Sequence, residues 1–286
     1  MKTSHKIFIS VIIISTSLLI ISLNAPKTTE FHNMANKTVA IEIRTSPDSY
    51  IDVYSDTKLT GFNGTDYKIE LIFYPNHKME TYVYNVNNSL INYSKQDFSG
   101  SFENFHVLSK NAVVNISNPV VFVALGDSNT MGVREGVELE DTWPYKLSQK
   151  NNAVVVNSGL GGDTISGGLR RLEKDALSFK PDSIIISFGL NDAIFLGIDD
   201  PRVNKTTFQS NLERMINRIQ ADNSTVILTT TTPINKNIFY NKTKIPEYFY
   251  QHINAQNVYD EYNDIIRNLA KKRNVFLADI RKKYHG

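Results

Sequence analysis

From residue 118 onward, short apolar runs alternate with longer stretches in which apolar residues recur every three or four positions. The runs are residues 120–125, 153–156, 183–187, 225–230 and 275–278, each of strand length and bounded by turn-forming residues. Between them, Phe208, Leu212, Met215, Ile216 and Ile219 fall on one face of a helix. Val258, Tyr262, Ile265 and Leu269 repeat that spacing on a second. Strands in alternation with helices predict a parallel sheet covered on both faces, a three-layer α/β domain over residues 118–286. Upstream the period shortens to two. Val39, Ile41 and Ile43, then Tyr67, Ile69, Leu71 and Phe73, then Tyr82, Tyr84 and Val86 alternate with polar residues. Pro47 with Asp48, Gly61, Gly64, Pro75 with Asn76, and Gly100 punctuate them. This pattern predicts a smaller all-β, sandwich-like accessory domain over residues 38–117.

The first 25 residues are of a third kind. Residues 7–23 are apolar apart from serines and one threonine, and Lys2 and Lys6 precede them. That is the layout of a signal peptide or an uncleaved signal anchor, and the charges on its amino side predict that the chain beyond Asn24 faces outward. A cut after Ala25 would put the bulky Leu23 at the third site back and Pro26 directly after the junction, which favours the anchor. The expected location is therefore exported, either anchored at the cell surface or secreted, with residues 26–37 as a linker. Eight Asn-x-Ser/Thr sequons, at Asn36, Asn63, Asn87, Asn92, Asn115, Asn204, Asn223 and Asn241, are compatible with an exported glycoprotein. The chain has no cysteine, so it offers neither a disulfide framework, a thiolate metal site nor a lipid-modified cysteine.

Three polar patches sit where the parallel strands are predicted to end: Gly126, Asp127 and Ser128; residues 157–163; and residues 189–192. In open α/β sheets the ligand crevice lies outside the carboxyl ends of the strands. The patches therefore bring a serine hydroxyl, a glycine whose backbone N–H no side chain shields, and a neutral side-chain amide to one crevice. That set can attack an ester carbonyl and hold the oxyanion that results. Taken singly, each patch is ordinary turn chemistry: Gly161 and Gly162 could shape a loop, and Asn191 with Asp192 could cap a helix. Their order at three successive strand ends is what favours catalysis. The sequence around Ser128 is not Gly-x-Ser-x-Gly, which disfavours an α/β-hydrolase elbow.

Other chemistries fit less well. The net charge is +2, and the basic clusters 271–273 and 281–283 read as solvated helix and loop ends, so no nucleic-acid partner is expected. The glycine-rich run 159–168 has Thr164 where Gly-x-Gly-x-x-Gly needs its last glycine, and no Gly-Lys-Ser/Thr follows, so no nucleotide cofactor is expected. The histidines lack metal-ligand spacing: His5 lies in the export segment, His32, His77 and His106 in the linker or β region, and His252 is read at a helix start. The tyrosines and phenylalanines of the β region could stack on sugars, but alternating aromatics are more often core.

The three patches, with Trp143 and Pro144 after the first, resemble the SGNH or GDSL-type hydrolase family, whose catalytic Ser, Gly, Asn and His come from separate sequence blocks. The resemblance covers residues 118–286 and implies a flavodoxin-like sheet. It implies Ser128 as nucleophile, Gly162 and Asn191 as oxyanion donors, and Asp127 as a structural member of the turn. It implies hydrolysis of an O-acyl ester without metal or organic cofactor; export together with a β module points to an acylated carbohydrate as substrate, with lipids and small acyl esters as the alternatives. The family's Asp-x-x-His block and closing helix have no counterpart before Gly286, so the hydrolase domain is expected to be incomplete at its C-terminus, and residues 1–286 alone to bind esters more readily than turn them over. A nonstandard pairing of Asp279 and His285 with Ser128 is the alternative. Two other functions compete: a noncatalytic carbohydrate-binding surface protein with a degenerate site, and a sugar O-acyltransferase.

Overall fold

The computed structural model describes residues 27–31, 38–46, 49–54, 58–63, 66–97, 105–132, 136–151, 153–234 and 255–283. Residues 1–26, which include His5 and the stretch read from the sequence as an export segment, lie outside them, as do His32, His252 and His285. The chain divides into two compact units, residues 1–119 and 120–286.

Among its described residues the first unit holds nine strands: β1 Lys27–Phe31, β2 Val39–Arg44, β3 Tyr50–Tyr54, β4 Lys58–Asn63, β5 Lys68–Phe73, β6 Lys78–Tyr84, β7 Leu90–Asp97, β8 Phe105–Lys110 and β9 Val113–Ser117. All pair antiparallel, in a four-stranded sheet ordered β1-β8-β3-β4 and a five-stranded sheet ordered β7-β6-β5-β2-β9. The period-two alternation is visible in the burial. Val39, Ile41 and Ile43 point inward from β2 and Ile69, Leu71 and Phe73 from β5, meeting Ile51, Val53 and Val107 of the other sheet in one apolar core. Strand β1 falls in the stretch read as a linker. It pairs with β8 from Lys27 against Ser109 to Phe31 against Phe105, so its backbone polar groups find partners that a linker would have left to water.

In the second unit, β10 Val121–Gly126, β11 Val154–Gly159, β12 Ser183–Ser187, β15 Thr225–Thr229 and β16 Phe276–Ala278 form a parallel sheet ordered β11-β10-β12-β15-β16. Renumbered within the unit this is 2-1-3-4-5, the flavodoxin-like order. A small antiparallel hairpin of β13 Phe195–Gly197 and β14 Asp200–Pro201 follows β12. The helices are α1 Ser128–Met131, α2 Trp143–Asn151, α3 Ile165–Asp175, α4 Lys205–Ala221 and α5 Ala255–Arg273, with a last turn at Ile280–Lys283. The inner strands are apolar on both faces because helices cover both. Val123, Ala124, Val156, Ile184 and Leu228 are all buried. In α4 the buried positions are Phe208, Leu212, Met215, Ile216 and Ile219, the expected stripe. In α5 the stripe turns by one residue: Ile266 is buried and Ile265 is only partly covered, with Tyr259 and Asn263 joining Val258, Tyr262 and Leu269. Two adjacent isoleucines left the phase of that helix ambiguous. The side chain of Asn263 also bonds Thr231, through its amide oxygen to the backbone N–H and its amide nitrogen to Oγ1.

Candidate active site

Strand β10 lies at the point where strand order reverses, with β11 on one side and β12 on the other. Gly126 is level with Gly159 and with Ser187. The three polar patches therefore leave adjacent strand ends, all on the carboxyl edge where such sheets take their ligands.

Ser128 is the first residue of the one-turn helix α1 and is partly buried. Asp127 caps that turn: its Oδ1 accepts from the Asn129 N–H at 2.8 Å, and its backbone oxygen accepts from Met131 N–H at 2.9 Å. The Asp127 carboxyl is buried, which pushes its pKa above the ordinary range against the pull of the Asn129 donors, with the negative charge of Asp163 adding to the rise. Its oxygen is thus occupied in holding the turn that presents Ser128. Asn157 ties the same turn to the second patch, its Nδ2 donating to Met131 O at 3.1 Å while its Oδ1 accepts from Gly159 N–H at 3.0 Å.

Gly162 is exposed, has φ +72°, and a Cβ placed on it would meet nothing within 4 Å. The left-handed conformation calls for glycine, and no atom crowds the space above it. Its carbonyl accepts from Arg202 Nη1 at 2.9 Å. Asn191 is partly buried, and its Nδ2 donates to Asp163 O at 2.9 Å. One amide hydrogen is used in that bond and a second remains. The neighbouring Asp192 is fully buried. Its carboxyl accepts from Ile165 N–H at 2.9 Å, at the start of α3, and from Gly189 N–H at 3.1 Å. Burial raises its pKa to about 7, opposed by those N–H donors and reinforced by the charge of Asp127.

The three predicted site residues thus stand on loops joined by direct hydrogen bonds: first to second through Asn157, and second to third through Asn191. Sequence reasoning missed Arg171 on α3, which bonds the first and second loops together. It also missed Arg202, whose neighbour Val203 hydrogen-bonds Asp192 O at 3.0 Å. Neither belongs to a recognisable spacing. An arginine flanking the buried residues Gly168 and Leu172 was the available signal.

Asp279 is committed elsewhere. Its oxygens accept from Arg267 Nε at 2.9 Å and Nη2 at 3.0 Å, from Thr230 Oγ1 at 3.0 Å and from Lys282 N–H at 3.2 Å. The Arg267 bonds hold its pKa down at about 2. It is a structural anion at the end of β16. Among the described residues no group of His, Asp and Glu is arranged to hold a metal ion.

The model of the GDSL-like lipase/acylhydrolase family matches residues 124–286. An uncharacterised lipoprotein, YqeF, of Bacillus subtilis is 31% identical over 55% of this chain and 69% of its own. An arylesterase of Vibrio mimicus is 31% identical over 37% of this chain. The match spans about half, 52%, of that enzyme's length. Among solved structures, the lipase/acylhydrolase from Enterococcus faecalis is 27% identical, covering 57% of this chain and 77% of its own with a TM-score of 0.45.

Proposed function

We propose, from the chain's membership of the GDSL-like lipase/acylhydrolase family and hence its standing as an ester hydrolase, that it cleaves an O-acyl ester through an acyl-enzyme formed on Ser128. Ser128 Oγ attacks the acyl carbon, forming the O–C bond as the hydroxyl proton passes to a general base. The tetrahedral oxyanion is held by the backbone N–H of Ser128 and of Gly162 and by the free amide hydrogen of Asn191. The intermediate collapses, the ester C–O bond breaks, and the alcohol leaves with the proton. Water then repeats the sequence on the acyl-serine and releases the acid. The family resemblance makes the base a histidine, and none of the described residues is assigned that role. No step calls for a metal or an organic cofactor.

The observation that carries this reading is the bond from Asn191 Nδ2 to Asp163 O, which fixes the amide beside the residue that follows Gly162. The open space over Gly162 supports it. The proposed substrate is an acylated carbohydrate, reading the β-rich unit as a targeting module. The protein is proposed to work outside the membrane, tethered through residues 7–23, since the chain has no cysteine to carry a lipid. Among the described residues no helix is long and apolar enough to cross a membrane, and residues 7–23 lie outside them.

The test uses protein expressed from the complete reading frame. Ser128→Ala is expected to abolish hydrolysis of p-nitrophenyl acetate and of acetylated sugars, and to abolish labelling by a fluorophosphonate. Hydrolysis equal to the parent would remove Ser128 from the mechanism. Equal turnover of sugar acetates and simple acetates would remove the carbohydrate assignment alone.

A further inference from the structure

Arg171 projects from α3 with its side chain only 14% exposed, and its guanidinium makes four contacts. Nε donates to Asp163 Oδ2 at 2.8 Å, Nη1 to Ser158 O at 2.7 Å and to Asp175 Oδ2 at 3.4 Å, and Nη2 to Gly126 O at 2.9 Å. The acceptors are not a random set. Gly126 is the last residue of β10, two before Ser128. Ser158 lies at the end of β11, beside Leu125 of β10 in the sheet register. Asp163 directly follows Gly162, and its backbone oxygen is the acceptor for Asn191. One planar cation therefore grips the stem of the serine loop, the stem of the glycine loop, and the residue next to the Gly162 donor whose carbonyl holds the Asn191 donor.

Asp163 is held from other directions as well. Its Oδ1 accepts from Thr164 N–H at 2.9 Å, and its own N–H donates to Leu160 O at 3.2 Å. Gly167 leaves space for its carboxylate, since a Cβ there would lie 1.7 Å from Oδ1. The charge on Asp163 is balanced by Arg171 alone among the ion pairs of the described residues. A guanidinium has donors in a fixed fork and can serve both carbonyls and the carboxylate at once, whereas a lysine ammonium is a point charge on a flexible stem.

We propose that Arg171 is the positioning residue of this enzyme: it sets the separation between Ser128 and the pair Gly162 and Asn191, without touching substrate. The proposal rests on the assignment of those three residues. Misplacement of a reacting group by about 1 Å costs on the order of a hundredfold in rate. Substrate binding away from the reacting centre is untouched, so the loss falls on kcat and leaves KM nearly unchanged.

The experiment compares Arg171→Lys, Arg171→Met and Asp163→Asn, each alone and combined with Asn191→Ala, in protein from the complete reading frame. Initial rates on p-nitrophenyl acetate are measured well below each variant's melting temperature. Arg171→Lys is expected to lower kcat by roughly thirtyfold to a hundredfold with KM within about twofold. In the Asn191→Ala background the same substitution is expected to cost less than in the parent, because one of the two donors it positions is already gone while Gly162 remains. Asp163→Asn keeps the shape, removes the charge, and is expected to behave like Arg171→Lys even if Arg171→Met fails to fold. Parental kcat in Arg171→Lys, or a loss of equal size in both backgrounds, overturns the proposal while leaving Ser128 in place. Parental rates in Ser128→Ala overturn the site assignment and this proposal together.

Discussion

Gly159 closes β11 against the turn that carries Ser128, and replacing it with alanine tests how tightly that turn is seated. A Cβ there would lie 2.0 Å from Met131 N and 2.5 Å from Met131 Cα. Both are backbone atoms, so no side-chain rotation relieves the clash. Non-bonded contacts settle near 3.5 Å, so α1 has to withdraw by roughly 1.5 Å. Withdrawal stretches the bond from Asn157 Nδ2 to Met131 O, now 3.1 Å. Overpacking of this kind costs about 1–3 kcal/mol, which in a domain of this size lowers the melting temperature by roughly 2–12 °C. Ser128 heads the same turn and moves with it, so kcat is expected to fall on the order of a hundredfold. Circular dichroism melts and initial rates on p-nitrophenyl acetate measure the two effects. Gly161→Ala is the control. Its Cβ would meet only the flexible end of Met131, at 3.8 Å, and both quantities should stay at parental values. If Gly159→Ala keeps its melting temperature within about 1 °C and its kcat within about twofold, the seating argument is wrong.

Asn191→Ala is expected to lower kcat by about a hundredfold or more with little change in KM, the loss of one oxyanion donor being worth roughly 3–4 kcal/mol; steady-state kinetics decide it. Asp192 has a folded-state pKa of about 7, raised above an unfolded value near 3.9. Its contribution to stability is therefore greatest below about pH 4 and declines as pH rises to about 7. Asp192→Asn is expected to remove that decline, as urea denaturation at both ends of the window would show. Asp279 has the opposite sign: its folded-state pKa is lowered to about 2, so its contribution is present above about pH 4 and is lost as pH falls towards 2. Arg267→Gln is expected to return that pKa to the ordinary carboxylate range, as a carbon-detected NMR titration would register.

The strands of the parallel sheet were legible because each is an apolar run short enough to be nothing else, and their ends fall within about one residue of the expected places except at β11, which runs three residues further, to Gly159. The phase of α5 was not, since Ile265 and Ile266 satisfy the period equally well and only the packing against Phe208 and its neighbours chooses between them. β1 was hidden for another reason. An edge strand takes its order from a partner nearly eighty positions away, and Lys-Thr-Thr-Glu-Phe carries little signal of its own. The glycine-rich run and the set-aside dinucleotide reading rest on spacing alone, whereas the reasons for its glycines are tertiary. Gly159 yields to Met131, Gly167 to the Asp163 carboxylate, and Gly168 to the ring of Phe188, which a Cβ would approach to 2.4 Å. Arg170 and Arg171 look alike in sequence. Only the fold turns the second inward to the strand ends and leaves the first exposed.

Helix α3 carries Arg171 and, at its first turn, the N–H that Asp192 holds. Two of the crevice's fastenings therefore belong to a single rigid rod. The hairpin of β13 and β14, whose tip at Ile198 and Asp199 is exposed, lies outside that rod, and evolution can revise its tip without touching either fastening. Drift along the inward side of the rod has no such licence: there, both fastenings would fail at the same stroke.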